Sequence, residues 1–167
     1  MQYLDILKLN AVTLAHNHVY DHFESGFFEA KNILEEKGIL SVGAGKTKKE
    51  AAKPLKIIIN SISFSILNYV DDNTNPKLPE KANLNINYFN IENIERDVKK
   101  CRVDSDFVIV MLHWGGESDY CSFPYIGQPE LAHQIIDAGA DLIIGGHSHT
   151  LQPYEIYNGK YRRYKRV

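Results

Sequence analysis

The chain has 167 residues, 44% hydrophobic and 24% charged, with a formal net charge of −2. That composition suits one globular domain of common size and excludes a disordered or fibrous protein. It also gives no global electrostatic case for nucleic acid. Cys101 and Cys121 show no CxxC spacing, so neither a disulfide framework nor a thiolate zinc site is indicated, and no apolar run approaches the ~20 residues that span a bilayer.

The elements alternate along the chain. Asn10 to Ala15 is a short apolar strand, followed by the polar loop "HNHVYDH". Residues 24–38 carry Phe27, Phe28, Ala30, Ile33 and Leu34 at helical spacing, with Gly38 as the stop. "ILSVGAG" is a strand ending in glycines, and "TKKEAAK" is a helical turn. "PLKIIIN" and "SFSILNYV" predict two strands joined at Asn60-Ser61. Residues 71–90, rich in Asn, Asp and Pro, read as one loop-like insertion.

In the second half, residues 90–101 predict a helix with Ile91, Ile94 and Val98 on one face. Residues 106–114 form a continuous apolar run, as a strand covered on both faces should. Residues 128–140 predict another helix, with Pro129 in its first turn, and "DLIIGG" another buried strand. Asn158-Gly159 signals a closing hairpin, and the basic "KYRRYKRV" end suits a solvated tail. Strands alternating with helices imply an α/β fold, a layered, mixed and largely parallel sheet flanked by helices.

Five of the seven histidines fall at predicted strand ends: His16 and His18 after the first strand, His113 closing "FVIVML", and His147 and His149 after "LII". Ligands bind at the carboxyl ends of strands in open α/β sheets, and imidazole suits borderline divalent metals. With the amide of Asn17, these side chains are expected to share one pocket. The glycines before His147 are expected to turn the chain and aim both rings inward. His22 and His133 lack that placement. His133, beside Leu131 and Ile135, is expected to be a partly buried, satisfied ring.

"LAHNHVYDHFESG", "LHWGGESDYCSFPYIGQPELAHQIIDAGADLIIGGHSH" and "TLQPYEIYNGK", with "ILSVGAGKTKKEAAKPL", resemble the bacterial CapA family, over nearly the whole chain. These are poly-γ-glutamate capsule biosynthesis proteins with a calcineurin-like metallophosphoesterase fold. The resemblance implies that Asn17, His113 and His147 bind one metal, that His149 reaches a second, and that His18 stabilises or protonates the leaving group. It gives Glu117 a second-line or substrate contact, and Asp21 a role in orienting the loop. Two cations ~3.5–4 Å apart would clamp the attacking and leaving oxygens of a phosphoester. An anionic polymer or phosphoester is the implied substrate, and other capsule-biosynthesis proteins are the implied partners. Family members typically sit at the outer face of the bacterial membrane.

The chain departs from the pattern at His16, which stands where the family has a second Asn; an extra ligand and a neutral substitution are both open there, and a loop hydrogen bond is the expectation. The family's metal-binding Asp strand and bridging carboxylate find no match before the Asn-His pair, since Asp5 lies in a helical segment. Its Gly-Asn-Phe strand after the final hairpin is not matched either. The expectation is therefore a partial CapA-like domain over residues 1–167, inactive as it stands. It would hold at most one Mn, Zn or Fe ion, because Asn17, His113, His147 and His149 are all neutral. The alternative is a non-catalytic assembly component that binds an anionic polymer.

Overall fold

A computed structural model describes residues 2–76, 78–115 and 122–163. In chain order these form α1 (Gln2–Leu7), β1 (Ala11–Thr13), α2 (Phe23–Glu36), β2 (Leu40–Val42), β3 (Ala44–Gly45) and α3 (Lys48–Ala51). Next come β4 (Leu55–Ile59), β5 (Ile62–Val70), a 3₁₀ turn at Asp72–Thr74, β6 (Asn85–Ile86) and α4 (Ile91–Arg102). The series closes with β7 (Phe107–His113), α5 (Gln128–Asp137), β8 (Leu142–Gly146), β9 (Tyr154–Tyr157) and β10 (Lys160–Arg163).

The main sheet has six strands in the order β4-β5-β7-β8-β10-β9. Its centre, from β5 through β7 and β8 to β10, is parallel, and the outer strands β4 and β9 close it as antiparallel hairpins. Both hairpins turn where the sequence placed them. Asn60 and Ser61 have φ of 51° and 65°, and Asn158 and Gly159 have 50° and 73°, the positive pair that a tight hairpin requires. The mixed, largely parallel sheet flanked by helices is the expected fold class.

Two details differ from the sequence reading. "ILSVGAG" is not one strand. At Gly43 (φ 102°) it breaks, so β2 pairs in parallel with β1 while β3 pairs antiparallel with β6. The segment 71–90 is also more ordered than its composition suggests. Leu84 and Ile86 alternate into the core at 1% and 5% exposure, which makes room for β6 inside an Asn-rich run.

Burial of β7 differs as well. Val108, Val110 and Leu112 are buried against α4 and α5, through Ile94, Val98, Ala132 and Ile135. The residues between them, Phe107, Ile109, Met111 and His113, are exposed or half-buried. One face of this strand is thus fully covered, and the continuous apolar run misled because hydrophobic side chains occupy the open face too. That open face continues through Phe64 and Ile66 of β5 and Leu142 and Ile144 of β8. A second core joins Ala15, Phe27, Ala44, Val70, Leu84 and Ile86, and it seats the loop after β1 beside the carboxyl ends of β5 and β7.

Candidate metal centre

Three strand ends meet at one edge of the main sheet. His113 is the last residue of β7, His147 follows the last residue of β8, and His16, Asn17 and His18 lie just after β1. The closest meeting joins residues 96 positions apart: the Nε2–H of His113 donates to Oδ1 of Asn17 at 2.9 Å. From His113 the rings form a chain. His147 lies 5.0 Å away between centroids, His149 a further 6.2 Å from His147, and on the other side His16 lies 6.0 Å from His113 and 6.5 Å from His18.

The electrostatics favour neutral imidazoles at His113 and His16. Burial, followed by repulsion from His147, His16, His18 and His149, pushes the pKa of His113 down to about 3. Burial also lowers that of His16, helped by His18 and opposed by Asp21. A neutral imidazole keeps a lone pair for a cation, whereas a protonated one has none. An amide oxygen and neutral ring nitrogens are a donor set that borderline divalent cations accept. Among the described residues, no three His, Cys, Asp or Glu side chains already stand as a metal-holding group. Asn17 and His113 are thus two donors that already meet, with His147 and His16 beside His113 and with His149 and His18 beyond them.

His18 lies at the exposed mouth of the cluster. Its Nδ1–H donates to Oδ2 of Asp21 at 2.8 Å, which leaves Nε2 as its remaining ring nitrogen. His16 makes the expected loop hydrogen bond, accepting at Nδ1 from the His18 backbone N–H at 3.1 Å. Its ring nonetheless stands within the cluster, so that bond and membership of the site coexist. The strand-end placement in the sequence already put His16 with the other rings, and the His-Asn-His spacing was its signal. Glu117 lies outside the described residues.

The turn that presents His147 and His149 is not made by the preceding glycines, as expected from sequence. Gly145 and Gly146 belong to β8 and pair with Leu112 and His113. The left-handed backbone falls on the histidines themselves, with φ of 100° at His147 and 46° at His149. Such positions cost on the order of 1–3 kcal/mol each and gather at functional sites. The glycines instead leave the strand bare beside the His113 ring: a Cβ on Gly146 would stand 3.7 Å from its Nδ1. A cavity of about 80 Å³ lies there, lined by His16, His113, Asn68, Met111, Ile144 and Gly146 among others.

His133 stands apart. Its ring stacks on Tyr157 at 3.9 Å, and its Nε2 meets Oε1 of Glu155 at 3.2 Å, as a satisfied, partly buried ring should. His22 stands at the start of α2 and makes no side-chain capping bond there.

Among solved structures, two share the architecture over nearly the whole of this chain. Sulfate thiohydrolase SoxB of Thermus thermophilus, in complex with glycerol, superposes with a TM-score of 0.65 at 13% identity, over 97% of this chain and 28% of that one. A putative 5′-nucleotidase from Staphylococcus aureus gives 0.65 at 14% identity, over 98% and 33%. At such identity the likeness is one of fold. The family is narrower: the model of bacterial capsule synthesis protein PGA_cap matches residues 1–164, and the chain belongs to that family. The PGA biosynthesis protein CapA of Bacillus subtilis is 28% identical over 154 residues, which is 92% of this chain and 40% of the relative. The chain thus spans about two fifths of that relative's length.

Proposed function

We propose that the strand-end cluster is a divalent-metal site of metallophosphoesterase type, in a CapA-like protein of capsule or poly-γ-glutamate biosynthesis. The observation that carries this reading is the 2.9 Å meeting of Asn17 and His113, two donors brought together by separate elements. Asn17, His113, His147 and His149 would hold one Mn, Zn or Fe ion. When bound, a divalent cation polarises a phosphoryl oxygen and makes water a nucleophile at neutral pH. His18, hydrogen-bonded to Asp21 at the exposed side of the cluster, would stabilise a leaving oxygen or, as an imidazolium that also carries a proton on Nε2, protonate it. The substrate class is a phosphoester or an anionic polymer, and capsule-biosynthesis proteins are the partners.

One cation, and not two, follows from charge. As ligands the four donors carry no formal charge, and among the described residues the Asp21 carboxylate is engaged by His18. Two dications at bridging distance repel strongly unless an anionic ligand lies between them. The chain is therefore expected to bind one equivalent of metal and to show no phosphoesterase turnover above background with Mn²⁺ or Zn²⁺. A chromogenic phosphomonoester and phosphodiester, assayed beside a metal titration, test this. Metal-dependent turnover by the chain would contradict the one-cation reading and place Asp21 or Glu117 between two ions. Binding of an anionic polymer without turnover would favour the assembly role, in which the cation serves as an anion receptor.

A further inference from the structure

The meeting of Asn17 and His113 requires two backbone segments to be held in register, and neither residue supplies that register. The loop after β1 and the end of β7 belong to different sheets. One buried side chain joins them. Asn68, on β5 and 3% exposed, uses both ends of its carboxamide. Its Oδ1 accepts from the Ala15 N–H at 2.8 Å, two residues before Asn17. Its Nδ2 donates to the Met111 carbonyl at 3.1 Å, two residues before His113.

The surroundings admit this arrangement and little else. Gly43 has φ of 102°, and a Cβ there would fall on Oδ1 of Asn68 and lie 2.8 Å from the Ala15 nitrogen. The backbone carbonyl of Asn68 is held in turn by Nδ2 of Asn87 at 3.0 Å, and Asn87 N–H donates to the Gly43 carbonyl at 2.9 Å. Both polar atoms of a buried amide are satisfied, and both partners are main-chain groups next to site residues. Replacing such an amide leaves buried backbone groups without their partners.

We infer that Asn68 is the positioning residue of the site: its carboxamide sets the spacing between Asn17 and His113, and Gly43 is the glycine that lets it do so. The inference rests on the metal-site reading for its affinity consequence, but not for its geometric one. Among the described residues, the carboxamide of Asn68 bonds to Ala15 and Met111 and not to the proposed donors, so it acts through those two segments.

The test is a double-mutant cycle on the full chain, with two readouts. Co²⁺ affinity is measured for the native chain, Asn68→Leu, Asn17→Ala and the double variant. Asn68→Leu is expected to weaken Co²⁺ binding about 10- to 100-fold, and to add little once Asn17 is gone. Gly43→Ala, which removes no hydrogen-bonding group, should act in the same direction. In the metal-free chain, ¹⁵N-resolved imidazole spectra should show the His113 signal shifted by Asn68→Leu and the His133 signal unmoved. Unchanged affinity, or an equal loss with and without Asn17, overturns the inference. If the native chain binds no Co²⁺, the metal reading falls, and the His113 signal alone decides: a shift supports the positioning role and no shift overturns it. Should Asn68→Leu fail to fold, Asn68→Ala takes its place, with a threefold or greater loss or a His113 shift supporting the role and neither overturning it.

Discussion

His113→Ala should reduce divalent-metal affinity by 100-fold or more, His147→Ala should do nearly as much, and His133→Ala should leave it unchanged. His113 sits at the centre of the ring chain, with Asn17 on one side and His147 on the other. Removing it takes away one of the two donors that already meet, and leaves Asn17 without its partner. His147 stands next in that chain, held on a left-handed backbone that a hydrogen-bonded surface residue does not need. His133 is occupied by Tyr157 and Glu155, away from the strand ends. Metal analysis of the purified variants, with circular dichroism to confirm that each folds, checks the order. Equal loss in all three, with folding intact, would mean that the cation lies elsewhere.

The second large effect concerns acid. In chelator, the metal-free chain should lose stability as pH falls below about 6.5, the ordinary histidine value. Folded, His113 resists protonation until about pH 3. Between those values the unfolded chain binds the extra proton, so stability rises with pH across the window and is fully present above it. His16 shifts in the same direction. Glu50 and Asp106 have lowered carboxyl pKa values, and their stabilisation fades at lower pH, as the carboxylates themselves protonate. Urea unfolding at pH 7 and at pH 4.5 separates the two. The loss over that interval attributable to His113 is on the order of 2 kcal/mol, reduced by partial solvent exposure. In His113→Gln that part of the slope should disappear. An identical slope in the variant would show that the ring is not held neutral by the fold.

Much of this was legible in the sequence because two kinds of signal are local. Tight hairpins at Asn60-Ser61 and Asn158-Gly159 need positive φ, and the residues that tolerate it are few. Helical spacing at Phe27 to Leu34 and at Ile91 to Val98 marks a buried face directly. The strand-end histidines were equally plain, because a strand's end fixes where its last side chain goes.

What escaped was non-local. Which face of β7 is covered depends on packing partners, and Ile109 and Met111 are as apolar as Val108 and Val110. The break of "ILSVGAG" at Gly43 lies against Asn68, a residue that in sequence is one Asn among many. The left-handed turn at His147 and His149 had a misleading local signal, because the two glycines before it suggested a turn and instead complete the strand beside His113.

The most direct measurement is a titration of the chain with Zn²⁺, followed by the imidazole ¹⁵N signals of all seven histidines. The account predicts saturation at one equivalent, with the signals of His113, His147 and His149 moving together while His22 and His133 stay fixed. Saturation that moves His133 or His22 instead, or no movement at any strand-end histidine, would contradict it.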